Sequence, residues 1–224
     1  MRNLCIVQAR MSSNRFPGKV MAPLGDSTVL RVLLSRLSKS KLIDKIVVAT
    51  SLEPSDDILV RHIPEYEILR GDLLDVRSRF IELGRRHVPQ NIIRITADCP
   101  LVCHELVDSL IEIHESGGSD YTANCNVEPY PKGFDIEIFK SEVLQRRDFL
   151  TQNIYHKEHV TPWMYLNGEL NTTNVLFSDY QKATGMNFSV DSPSDLLFLN
   201  ELESLYAVTN LTFSEIWNKV KVES

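Results

Sequence analysis

Apolar residues recur in this chain with two alternating rhythms. The run Leu4-Cys5-Ile6-Val7 is continuously apolar, as expected of a strand buried on both faces of a parallel sheet. Val29, Leu30, Val32, Leu33, Leu34 and Leu37 then follow helical spacing over 28–38, with Asp26, Ser27 and Thr28 as candidate caps. A second strand is predicted over 45–50, which completes a strand–helix–strand unit whose crossover is right-handed. A turn at 51–57 opens a short helix over 58–62, and 66–69 reads as a third strand. The helix predicted over 75–87 places Val76, Phe80, Ile81 and Leu83 inward, with Arg77, Arg79, Glu82, Arg85 and Arg86 outward. Ile92, Ile93 and Ile95 mark a central strand over 91–96, and a helix over 104–116 closes at Gly117-Gly118. The pattern predicts an α/β protein with a Rossmann-like, mostly parallel sheet flanked by helices.

Beyond residue 120 the rhythm changes. A turn-rich stretch over 123–133 precedes Phe134-Asp135-Ile136-Glu137-Ile138-Phe139, where alternation puts Asp135 and Glu137 on one face. That face either lines a pocket or is the solvated side of an antiparallel strand. A helix is predicted over 142–149, and the stretch 155–165 is rich in aromatics, suiting a dimer surface or a pocket wall. Strands are predicted over 174–177 and 187–190. A helix capped by Ser194 or Asp195 then presents Leu196, Leu197, Leu199 and Leu202, and a last helix over 212–220 buries Ile216 and Trp217. With no repeat or linker, 1–224 reads as one domain carrying a β-rich excursion over 120–180.

Composition narrows the class. Apolar content of 43% and charged content of 24% are those of an ordinary globular domain. No apolar run approaches the roughly 20 residues that span a bilayer, and the N-terminus lacks a signal-type pattern, so a cytoplasmic protein without membrane contact is expected. Cys5, Cys99, Cys103 and Cys125 have no framework spacing, and Cys99-x-x-x-Cys103-His104 lacks the second ligand pair of a zinc site, which points to reduced thiols. A formal charge of −6 without a basic stripe argues against nucleic acid.

Against that acidic background, Arg10, Arg15 and Lys19 crowd one turn after the first strand, among the small residues Ala9, Ser12, Ser13 and Gly18. Strand carboxyl ends are where open α/β sheets bind ligands, and backbone N–H groups with cations there suit phosphate. A solvated basic loop is the competing reading. The opposed background charge and the turn set by Pro17-Gly18, which aims Lys19, favour phosphate. Neither the phosphate-loop pattern ending in Gly-Lys-Ser/Thr nor a G-x-G-x-x-G fingerprint is present. Asp98, after the fourth strand, is placed to hold magnesium, or else to cap a helix beginning at Pro100.

The run Gln8-Ala9-Arg10-Met11-Ser12-Ser13-Asn14-Arg15-Phe16-Pro17-Gly18-Lys19 resembles the signature loop of the nucleotidyltransferases that make CMP-activated acid sugars. The spore coat polysaccharide branch is the nearest in pattern, with the 3-deoxy-manno-octulosonate and acylneuraminate cytidylyltransferases related. The resemblance continues through Arg94-Ile95-Thr96-Ala97-Asp98-Cys99-Pro100-Leu101, Glu158-His159-Val160-Thr161-Pro162 and Val190-Asp191-Ser192-Pro193. It implies CTP and an acid sugar as substrates, Mg2+ as cofactor and a homodimer. It further implies charge neutralisation by Arg10, Arg15 and Lys19, nucleotide contacts at Gln8, Ala9, Arg10, Lys19, Arg70, Gly71, Asp75 and Thr96, and a metal held by Asp98 and Asp191. Asp135, Glu137 and His159 are the candidate sugar contacts. A glycosyltransferase of the same architecture stays open, since Asp135-Ile136-Glu137 has the D-x-D shape. A sugar-1-phosphate nucleotidyltransferase is a further alternative. An inert binding protein is disfavoured by the joint presence of Lys19, Asp98 and Asp191.

Overall fold

The computed structural model describes residues 1–126, 130–146, 153–166, 168–177 and 186–220. In chain order its strands and helices begin with β1 (Asn3–Gln8), the small hairpin β2 (Pro23–Leu24) and β3 (Ser27–Thr28), and α1 (Val29–Leu37). There follow β4 (Lys45–Ser51), α2 (Asp57–His62), β5 (Glu67–Gly71), α3 (Val76–His87), β6 (Asn91–Thr96) and α4 (His104–Gly117). The second half holds β7 (Tyr121–Ala123), β8 (Glu137–Lys140), α5 (Ile154–His159), α6 (Pro162–Leu166), β9 (Thr172–Asn174), α7 (Pro193–Tyr206) and α8 (Phe213–Val220). One seven-stranded sheet runs β5-β4-β1-β6-β8-β7-β9. Its first four strands are parallel; β8 is antiparallel to both β6 and β7, and β9 is parallel to β7.

The apolar run of β1 explains why two layers of helices form. Leu4, Cys5, Ile6 and Val7 are all fully buried, and because side chains alternate across a strand they feed two cores. Cys5 and Val7 join Ile93 and Ile95 under α1, α4, α7 and α8, while Leu4 and Ile6 join Val47, Ile92 and Phe80 of α3 on the other face. Each such side chain stabilises the fold by about 1.5–3 kcal/mol on burial.

Two expectations are corrected where the excursion meets the sheet. Arg77 and Arg79 of α3 do not face water: they are 4% and 2% exposed, because α5 lies across α3 and the 72–73 turn closes over Arg79. The alternating stretch 134–139 becomes strand only from Glu137, and on its polar face Glu137 is buried and Asp135 half-buried. The 155–165 run divides into α5 and α6, with Val160, Trp163 and Met164 packed in the chain's own core; Tyr155 remains exposed.

Several boundaries also move. The stretch 187–190 forms no named strand; a single bridge pairs Lys132 with Asn187, and the Val190 N–H donates to the Asp98 carbonyl at 2.8 Å. β9 ends where the strand expected over 174–177 begins, and the helix expected over 142–149 is a 3-10 turn at Ser141–Gln145, with 147–149 outside the described residues. The cap of α7 is Ser192, which accepts from the Asp195 N–H in a capping box, with Pro193 opening the helix. α4 starts only at His104, so Asp98 caps nothing and Pro100 opens no helix.

Candidate active site

The carboxyl ends of β1 and β6 lie side by side, with Gln8 paired to Thr96, and everything chemical converges there. The loop leaving β1 folds back on itself: the Met11 carbonyl accepts from the N–H groups of Ser13 (3.0 Å) and Gly18 (2.8 Å). Gly18 sits at φ 76°, a left-handed conformation that glycine adopts at no steric cost, and the turn delivers Lys19 into a 3-10 helix, Lys19–Met21. The loop is fastened from outside by Asp56, a residue that sequence reading placed in a mere turn. Its carboxylate is fully buried and accepts from the Met11 N–H (2.8 Å), the Thr50 hydroxyl (2.9 Å) and the Ser51 N–H (3.0 Å). Burial opposes that charge, but the donors of Ser51, Met11 and Thr50 outweigh it and hold the carboxyl below the usual aspartate range. The only sequence signal was an acidic residue just after a strand, too common to single out.

Lys19 is the centre of the site. Its Nζ lies 2.5 Å from Asp98 Oδ2 and 3.1 Å from Asp191 Oδ1, and its side chain is only 11% exposed. Burial works against the ammonium, but Asp98 and then Asp191 outweigh it, and its pKa stands above the ordinary lysine value. Arg15 adds a second cation to Asp191 at 2.8 Å, and Arg10 reaches Glu158 of α5 at 3.4 Å across the cleft mouth. All three loop cations thus hold carboxylates in this state. Residues 79 and 172 positions from Lys19 meet on it.

These residues line a cleft of about 330 Å³ together with Gln8, Ala9, Thr96, His159, Val76 and Arg79. The carboxamide oxygen of Gln8 is buried there without a partner among the described residues, which leaves an acceptor for a ligand donor. Of the expected nucleoside contacts on the β5–α3 turn, Arg70, Gly71 and Asp75 stand outside the lining. Arg70 is committed to Asp57 (2.6 Å) and to the carbonyls of Ser51 (2.8 Å) and Glu53 (2.9 Å), and Asp75 caps α3 through the Ser78 N–H (3.0 Å). Gly71 acts at one remove: a Cβ there would come within 2.8 Å of Arg79 Cγ, so its absence makes room for the arginine that does enter the cleft.

A second cleft of about 320 Å³ shares Thr96 and His159 with the first. Tyr155, Tyr165 and Pro162 give it apolar walls, and Asp135, Glu137, Arg94 and Lys132 give it charge. Glu137, expected to read a sugar, is already committed: antiparallel register sets it opposite Arg94, with which it forms an ion pair, and it accepts from the Tyr121 hydroxyl at 2.6 Å. Asp135 carries no such cation; burial first, then the nearby Glu137 and Asp98, push its carboxyl up to about 6. His159 packs against Tyr155 with ring centroids 4.5 Å apart and the rings tilted by 50°. The next residue, Val160, is held at φ 66° in a tight turn closed by Thr161 N–H to the His159 carbonyl (2.8 Å), a conformation costly for a β-branched residue and found where a site is being shaped.

A cationic loop at a strand end, a lysine bridging two carboxylates and an adjoining cleft with aromatic walls have the form that a nucleotide-dependent transferase requires. A family model described as cytidylyltransferase matches residues 4–215. The chain therefore belongs to the cytidylyltransferase family and is a nucleotidyltransferase. It is 38% identical over 167 residues to the spore coat polysaccharide biosynthesis protein SpsF of Bacillus subtilis, covering 70% of this chain and 68% of that protein. An uncharacterised protein of Methanocaldococcus jannaschii is 32% identical over 219 residues, 96% of this chain and 89% of its own. Among solved structures, a cytidylyltransferase from Leptospira borgpetersenii superposes with a TM-score of 0.92 at 26% identity, covering 100% of this chain and 95% of that one.

Proposed function

We propose that the protein transfers a cytidylyl group from CTP to the anomeric hydroxyl of an acid sugar, a 3-deoxy-2-ulosonic or nonulosonic acid, for surface polysaccharide or glycan synthesis. The observation that carries this reading is Lys19 held between Asp98 and Asp191 in the cleft that also holds Arg10 and Arg15. The sugar oxygen attacks the α-phosphorus as the bond to the pyrophosphate oxygen breaks, and the hydroxyl proton is lost. Such a step asks the protein mainly for alignment and charge compensation. Arg10, Arg15 and Lys19 stand where the triphosphate charge would lie, and Gln8, Ala9 and Thr96 line the floor. The buried Gln8 oxygen suits a base bearing an amino group, as cytosine does.

The donor set fits magnesium. Two carboxylates already share one cationic group, and magnesium takes one or two carboxylates with phosphate oxygens and waters rather than a protein cage. Among the described residues, no group of three or more His, Cys, Asp or Glu is placed as such a cage. Asp98 and Asp191 would hold the ion, which when bound supplies Lewis-acid compensation of phosphate charge. Lys19 and Arg15 would then turn from carboxylate to phosphate.

The glycosyltransferase alternative fares worse, because Glu137 of the D-x-D-shaped Asp135-Ile136-Glu137 is neutralised by Arg94. The deciding assay pairs CTP, UTP, GTP and ATP with a panel of acid sugars. Pyrophosphate release with CTP is expected; no pyrophosphate from any triphosphate, with a nucleoside mono- or diphosphate released only when a nucleotide-sugar donor is supplied, would indicate glycosyl transfer and sink the proposal.

A further inference from the structure

The second cleft holds a cation that nucleotide chemistry leaves unused. Lys132 lines it, is exposed, and makes no ion pair or side-chain hydrogen bond with any described residue. The neighbouring arginine is engaged otherwise: Arg94 is neutralised by Glu137.

The root of Lys132 is fixed. Its carbonyl accepts from the Phe188 N–H at 2.9 Å, and Gly133, at φ 97°, lets the two segments approach so closely that a Cβ there would lie 2.3 Å from the Phe188 carbonyl carbon. That same segment continues to Val190, whose N–H is bonded to the Asp98 carbonyl, and to Asp191. Lys132 is therefore anchored to the segment that carries Asp191 and is hydrogen-bonded to the Asp98 carbonyl, and Asp135 lines the same cleft three residues further on.

We propose that Lys132 is the specificity-determining residue that holds the carboxylate of the acceptor. This rests on the reading of the protein as a cytidylyltransferase acting on a sugar hydroxyl. In a 2-ulosonic acid the carboxylate is bonded to the anomeric carbon that also bears the attacking hydroxyl. A cation that fixes the carboxylate thus fixes the nucleophile, and the backbone anchor of Lys132 ties it to the segment leading to Asp191. Asp135 orients the ring in the opposite sense, repelling the carboxylate and accepting from hydroxyls. A lysine ammonium offers three donors on a flexible stem and stays charged in water, which suits an anion of variable placement. A neutral sugar would leave it unmatched.

The test uses the full chain as wild type, Lys132→Ala and Lys132→Arg. Magnesium and CTP are supplied, with 3-deoxy-manno-octulosonate, N-acetylneuraminate and the C1 amide of each as acceptors. Loss of one charge-assisted hydrogen bond corresponds to about 10- to 100-fold in binding. Lys132→Ala is expected to raise KM for the acids by that factor, to leave KM for CTP unchanged and to abolish the preference for acid over amide; Lys132→Arg restores most of it. An unchanged KM for the acids, or equal losses on acid and amide, would overturn the assignment. If no acceptor is turned over, the same acids are titrated calorimetrically into enzyme saturated with magnesium and a non-hydrolysable CTP analogue. Weaker binding by Lys132→Ala then supports the role, and no binding by the wild type overturns it. A wild type that uses CTP only on neutral sugars overturns the role of Lys132 while nucleotidyl transfer stands. Failure to bind CTP overturns both.

Discussion

Lys19 bridges two carboxylates, and that contact sets what its removal should do. Lys19→Ala is expected to lower kcat/KM by about 10²- to 10³-fold, the scale of one preorganised electrostatic contact. Without the ammonium, Asp98 loses its cation and Asp191 keeps only Arg15, so magnesium should raise the melting temperature of this variant more than that of the wild type. Wild-type turnover in Lys19→Ala would remove it from the machinery. Because the two acids would serve one ion, the double Asp98→Asn/Asp191→Asn variant should lose little more activity than the worse single one, the non-additivity of residues acting as a unit. Multiplying losses with unchanged magnesium dependence would count against a shared site. Asp56 makes a different prediction, about stability. Its carboxyl is held below the ordinary value, so its contribution is present above the unfolded pKa of about 3.9 and is lost as pH falls through the lower folded value. Asp56→Ala strands donors on Met11, Thr50 and Ser51 and is expected to cost about 3 kcal/mol or more by urea unfolding, with a flatter acid limb than wild type. An unchanged acid limb would sink that reading.

At the scale of elements, the site depends on how short irregular segments dock against regular ones. Gly133→Ala would force a Cβ against Phe188 at a positive φ, which costs about 1–3 kcal/mol in backbone terms alone and prises 132–135 away from 187–191. The expected outcome is lower stability together with raised KM for the acceptor; full stability with normal kinetics would mean that the contact relaxes freely. Ser192→Ala removes the α7 capping box and should cost about 1 kcal/mol in thermal unfolding while leaving magnesium dependence intact, in contrast to its neighbour Asp191. α1, α4 and the strands β1, β4 and β6 were legible because their apolar rhythm is sustained and their environment uniform. α3 misled at Arg77 and Arg79 because periodicity reports only which face is apolar, and the polar face of α3 is covered by α5 and the 72–73 turn.

At the scale of the molecule, the expected homodimer now rests on a smaller surface. Trp163 and Met164 are interior, while Ile154, Tyr155 and Leu166 are 75%, 52% and 68% exposed. If these side chains meet a second copy, sedimentation at micromolar concentration should find a dimer that Leu166→Glu dissociates; a monomeric wild type would remove the idea. Among the described residues no helix is long and apolar enough to cross a membrane.

The sequence by itself determined the parallel half of the sheet, its flanking helices and the loop of Arg10, Arg15 and Lys19, because strand and helix rhythms and a local cationic turn are properties of neighbours along the chain. It also marked Asp98 and Asp191, through motifs that follow apolar runs. Tertiary structure alone decided what those groups meet. Lys19 between two carboxylates, Asp56 clamping Met11, Arg94 neutralising Glu137 and Lys132 left without a partner among the described residues all depend on contacts between segments far apart in sequence, or on their absence. Charge pairing is a matter of distance in space, and no periodicity along the chain encodes which carboxylate a cation will reach.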